Sequence, residues 1–95
     1  MLGKYVIVRT YSAGVHMGVL AEQNGTEVRL LNARRLWKWA GAFTLNEVSQ
    51  KGIDFGNSRL SESVPEIFLT QAIEILPIKS SLVADFQEAK AYEPS

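Results

Sequence analysis

Between residues 32 and 39 the chain reads Asn32-Ala33-Arg34-Arg35-Leu36-Trp37-Lys38-Trp39, two arginines, two tryptophans and a lysine in one short run. An arginine offers a planar fork of donors that matches phosphate oxygens, and an indole offers a flat face for a nucleobase. Arg34, Arg35, Trp37, Lys38 and Trp39 therefore form a candidate nucleotide or nucleic-acid site. Phe43, Asn57 and Arg59 lie downstream around a loop able to close over it, with Asn57 suited to a base edge and Arg59 to a phosphate. A structural account competes with this one. Leu36 and one tryptophan would be core, the cationic stems would run across them, Phe43 would also be core, and Gly56-Asn57 would be only a turn.

The remaining inventory is poor in catalytic chemistry. His16 is the single histidine, there is no cysteine, and no serine stands in a G-x-S-x-G elbow. His16 lies mid-strand beside Met17 and reads as a satisfied structural histidine. The acids are scattered singly, so no metal site is expected, and no glycine-rich phosphate loop is present. The expectation is binding without catalysis, with neither metal nor cofactor.

The elements that must carry these residues are mostly strands. Residues 5–11 are β-branched and aromatic. Ser12-Ala13-Gly14 supplies a turn, residues 15–22 return as a second strand, and Asn24-Gly25 is a strong hairpin signal before a third strand at 27–32. Links this short force an antiparallel meander. Residues 33–43 are ambiguous. An extended reading puts Arg35, Trp37 and Trp39 on one face with Arg34, Leu36 and Lys38 on the other, whereas a helical reading stacks Arg35 under Trp39. The two tryptophans and Gly41 favour the extended form.

Thr44-Leu45-Asn46-Glu47 fits a capping box and Gly52 a C-terminal stop, which predicts a helix over 45–51. Residues 53–65 read as a loop or short edge strand. Residues 67–78 read as one long or kinked strand that Pro77 terminates. Ser80 or Ser81 then caps a last helix to about Lys90, its apolar side made by Leu82, Val83 and Phe86. Residues 92–95 read as a frayed tail. The fold class expected is α+β: a small twisted antiparallel sheet with two short helices, in a single domain spanning residues 1–95.

Length and charge set the outer bounds. A chain of 95 residues with 46% hydrophobic and 21% charged residues is an ordinary single globular domain, too small for a robust core without oligomerisation. The net charge of zero argues against a histone-like coating protein. It hides an asymmetry: residues 1–59 hold eight basic and four acidic residues, and residues 60–95 hold two and six. That pattern suits a local anion site, or a basic face meeting an acidic face of another copy. The lack of cysteine is compatible with a reducing cytoplasm, and no leader peptide or membrane span is expected.

Three segments carry a resemblance. Val8 with Tyr11-Ser12-Ala13-Gly14-Val15-His16-Met17-Gly18, the run from Asn32 through Trp39 to Leu45, and Ile67 through Thr70 to Pro77 together resemble the first-described family of phage Thoeris anti-defence proteins. The resemblance covers about three quarters of the chain, and Asn32–Trp39 is its most specific part. It implies a sponge in the cytoplasm of an infected bacterium, one that binds glycocyclic ADP-ribose signals without cleaving them. Some members of that family also take cyclic di- or trinucleotides at a separate pocket, and they assemble as dimers or hexamers. Arginine for pyrophosphate and aromatic faces for adenine fit such a role. The alternatives are a nucleic-acid-binding module and a phage structural or assembly protein with the tryptophans as interface anchors.

Overall fold

A computed structural model of the chain describes residues 1–93; of the tail at 92–95, Pro94 and Ser95 lie outside the described residues. The domain is α+β, built on one antiparallel sheet. Strands β1 (Tyr5–Thr10), β2 (Val15–Asn24) and β3 (Glu27–Lys38) form the meander, and β4 (Arg59–Leu60), β5 (Val64–Leu69) and β6 (Ala72–Pro77) complete the sheet. Helices α1 (Leu45–Lys51) and α2 (Val83–Glu88) pack on it, and residues 55–57 and 80–82 form single 3-10 turns.

The sheet curls because of how the last strands attach. β6 pairs with β1 at one side, while β5 pairs with the first half of β3 at the other. Only Thr70 and Gln71 join β5 to β6, so the two sides must approach one another, and the sheet rolls without closing into a barrel. The concave side holds an apolar cluster that includes Val6, Val8, Leu20, Leu30 and Leu69. The convex side holds a second cluster, with Ile7, Met17 and Leu36 from the sheet and Val48 and Phe86 from the helices. Phe86 meets Phe55 edge-on with centroids 5.1 Å apart, which ties α2 to the 3-10 turn at 55–57.

A bulge in β3 sets the faces. Met17 pairs with Arg34 and Val19 with Leu31, so β3 spends one residue more than β2 at this point. Asn32 takes a left-handed φ of 50° there. Gly18 sits opposite, where an added Cβ would lie 2.8 Å from the Leu31 carbonyl oxygen.

Two sequence expectations need correction. The apolar run 67–78 is two strands on opposite sides of the sheet, because Thr70-Gln71 turns the chain. The last helix starts at Val83 with no side-chain cap, since Ser80 and Ser81 belong to the 3-10 turn before it, and it ends at Glu88. The extended reading of residues 33–43 holds for 33–38, which complete β3, whereas 39–43 lie in no strand or helix, and α1 occupies residues 45–51 with Thr44 Oγ1 accepting from the Glu47 N–H at 3.2 Å.

Candidate functional site

The end of β3 and the short β4 bring four sequence-predicted residues into one surface region. Lys38 and Arg59 are register partners across the β3–β4 ladder. Asn57 lies two residues before Arg59, in the 3-10 turn. Asp54 caps that turn, accepting from the Gly56 N–H at 3.1 Å and from Asn57 Nδ2 at 2.8 Å. The Ser58 hydroxyl ties the same turn to the segment that follows β3, accepting from the Ala40 N–H at 3.0 Å and donating to the Asp54 carbonyl at 2.7 Å. Lys38, Asn57 and Arg59 then line a cleft of about 210 Å³ with Gly56, Ser58 and Tyr92.

Aromatic rings complete this region. The Arg59 guanidinium lies 4.5 Å from the Tyr92 ring centroid, a cation–π contact. Tyr92 in turn meets Trp37 edge-to-face at 5.8 Å. Trp37 is 47% exposed, so half of an indole is open to a flat ligand. Tyr92 was not among the predicted residues, and the frayed tail expected from its position does not apply to it. Its N–H donates to the Leu60 carbonyl at 2.9 Å. A lone aromatic in a polar terminal segment was the available signal.

Two like charges facing each other across a ladder oppose sheet stability. The cleft between them is lined by no carboxylate, and among the described residues the only ion pairs are those of Arg29 with Glu22 and Glu66. Asp54 does not line the cleft, although its carboxylate holds the Asn57 amide that does. Acids enter only at the neighbouring surface, where Trp37 and Tyr92 share a depression with Glu62 and Glu93.

The other predicted residues lie elsewhere. Arg34, a candidate phosphate ligand by sequence, is only 4% exposed on the convex side of the sheet. Arg35 is exposed and lines a cleft of about 260 Å³ with His16, Ser61, Glu62 and Ile67, which Arg34 also borders. His16 is buried there, and its Nε2–H donates to the Ala13 carbonyl at 2.9 Å. Burial lowers the His16 pKa, the Ala13 hydrogen bond opposes that shift, and Arg35 adds to it. Trp39 lies past the end of β3 and packs against the convex-side core, so it does not share a face with Trp37. Trp39 and Phe43 instead line a third cleft beside Arg9 and Glu74. Phe43 is 93% exposed, which excludes it from the core. Among the described residues no group of three His, Asp or Glu is placed to hold a metal.

The fold and these clefts define a small α+β domain with an open cationic and aromatic surface site. Residues 3–86 match a family described as a domain of unknown function (DUF6948), and the chain belongs to that family. No curated protein and no solved structure matches the chain significantly. Among the described residues no helix is long and apolar enough to cross a membrane.

Proposed function

We propose that this protein captures a cyclic nucleotide signal of the glycocyclic ADP-ribose kind and holds it without chemistry, as an anti-defence sponge in the cytoplasm of an infected bacterium. The observation that carries the reading is the Lys38–Arg59 pair. These are two cations held opposite one another in a carboxylate-free cleft, flanked by the amide of Asn57 and the rings of Tyr92 and Trp37. Like charges juxtaposed at a cost to the ladder are accounted for when an anion sits between them. A pyrophosphate supplies that anion, and the adjoining rings suit the attached adenine. The resemblance in the sequence adds the identity of the signal; cyclic di- and trinucleotides are the second ligand class to test.

Calorimetric titration with a cyclic ADP-ribose isomer and with a cyclic trinucleotide tests the proposal, with single-stranded DNA as control. A saturable small-molecule isotherm that is lost in a folded Arg59→Ala variant supports it. Ligand recovered after heat denaturation should be intact by liquid chromatography. No heat with either small molecule, or a hydrolysed product at multiple turnovers, overturns it. A signal with DNA alone that fades as salt rises transfers the site to a nucleic-acid-binding module.

A further inference from the structure

Arg34 is a buried cation for which the described residues provide no counter-charge. Its Nε–H donates to the Ser61 carbonyl at 2.8 Å, and Nη1 donates to the Phe86 carbonyl at 2.8 Å. The Phe86 carbonyl is one of those that α2 leaves unpaired at its C-terminal end, so the arginine helps hold the helix on the sheet. Both acceptors are neutral, however, and a guanidinium has five N–H donors, so these two bonds satisfy neither its charge nor its capacity. No carboxylate among the described residues forms an ion pair with it; Glu62 borders the 260 Å³ cleft that Arg34 also lines, without pairing with it. The titratable group that acts on it is the Tyr5 hydroxyl, whose own ionisation burial pushes up to about 12, so it is neutral at ordinary pH. A buried charge without a counter-ion is costly, and proteins seldom retain one without a use.

Arg34 also lines an open cleft of about 280 Å³ whose other walls are Asn32, Ser63 and Gln87. Each of these offers an amide or hydroxyl, and none brings a negative charge. Asn32 is the one non-glycine with positive φ among the described residues. Its strained backbone therefore lies at the rim of this cleft, and such strain concentrates at binding sites.

We propose that this cleft binds a small oxyanion, a carboxylate or a phosphate group, with Arg34 as the charged donor and Asn32, Ser63 and Gln87 as neutral partners. It shares no residue with the Lys38–Arg59 cleft and stands whether or not that cleft takes a nucleotide.

The test is a nuclear magnetic resonance titration that follows the Arg34 Nε–Hε signal in the full chain. Inorganic phosphate and acetate are added separately at constant ionic strength, with chloride as the balancing ion. A saturable shift with phosphate or acetate, absent with chloride, supports the site; phosphate alone indicates a phosphoryl ligand and acetate alone a carboxylate. Gln87 and Ser63 are exposed, so Gln87→Leu and Ser63→Ala should leave the fold intact while weakening affinity roughly 2- to 10-fold each, the loss of one neutral hydrogen bond. A shift that grows linearly without saturating, that chloride reproduces, or that neither variant changes overturns the proposal. Because Arg34→Ala also removes the bond that holds α2 on the sheet, the two exposed variants carry the test.

Discussion

Arg59 is held from two sides, by the Tyr92 ring at 4.5 Å and by the β4 ladder opposite Lys38, so its guanidinium is positioned before any ligand arrives. Charge-assisted hydrogen bonds contribute about 1.5–3 kcal/mol each, and Arg59→Ala should weaken nucleotide binding by roughly 10- to 150-fold in calorimetry with the melting temperature little changed. Trp37→Ala should cost about 1–3 kcal/mol if that ring stacks on the base, and binding like wild type in both variants would remove the site. His16 makes a second prediction at this scale. Its folded pKa is lowered by burial, so the unfolded chain takes up the proton first. The stability it contributes is complete above its unfolded pKa of about 6.5 and is lost as pH falls through the lower folded value. Melting temperatures of wild type and His16→Gln, compared from pH 7.5 to 5.5, should converge as pH falls; a constant gap contradicts the assignment. Residue types alone pointed to Trp37, Lys38, Asn57 and Arg59, because a local cluster of cations and rings is visible in one dimension. The burial of Arg34 was not legible, since arginine is a surface residue by type and only the register with β2 and the docking of α2 enclose it. Tyr92 was missed because its partners, Leu60, Arg59 and Trp37, are all distant in sequence.

Where β2 crosses the β3 bulge, the elements approach more closely than any side chain permits. A Cβ on Gly18 would stand 2.8 Å from the Leu31 carbonyl oxygen and 3.2 Å from Ala33 Cα. Both are backbone atoms and cannot rotate away. Gly18→Ala should therefore destabilise the domain by about 1–3 kcal/mol in urea titration, the usual cost of overpacking; an unchanged midpoint would show that the sheet yields there. Thr44→Ala should cost about 1 kcal/mol through loss of the α1 N-cap, read by the same titration. The capped helix and the Asn24-Gly25 hairpin were legible because their signals are local: a hydroxyl that satisfies an orphan amide, and a glycine with φ of 61° in a tight turn. The break between β5 and β6 was not, because Thr70-Gln71 contains neither glycine nor proline and apolar residues continue on both sides. Tertiary pairing decides it: the concave core recruits Leu69 beside β3 and Ala72 beside β1. The final helix was overextended for the same reason, as Ser80 and Ser81 can serve a 3-10 turn as readily as an N-cap.

At the scale of the whole molecule, size sets the terms for any capture of a cyclic nucleotide. The Lys38–Arg59 cleft encloses about 210 Å³, whereas pockets that bury most of a small ligand span about 300–1,000 Å³. One copy can supply the charges and rings but cannot wrap the ligand, and nanomolar capture needs about −12 kcal/mol. A second copy closing over the cleft would resolve the mismatch. The exposed large apolar residues Phe43, Phe68 and Ile73 offer contact area for such an assembly. Static light scattering at micromolar concentration should therefore report a multiple of the 10.6 kDa chain mass. Native mass spectrometry with ligand should retain the nucleotide on the oligomer and lose it when the oligomer is dissociated. Phe43→Ser, at a side chain outside the core, should shift the population toward monomer and weaken ligand capture in parallel if Phe43 lies in the contact. A monomer at all concentrations that still binds with nanomolar affinity would show that one copy closes its own site, and the shared pocket would have to be abandoned.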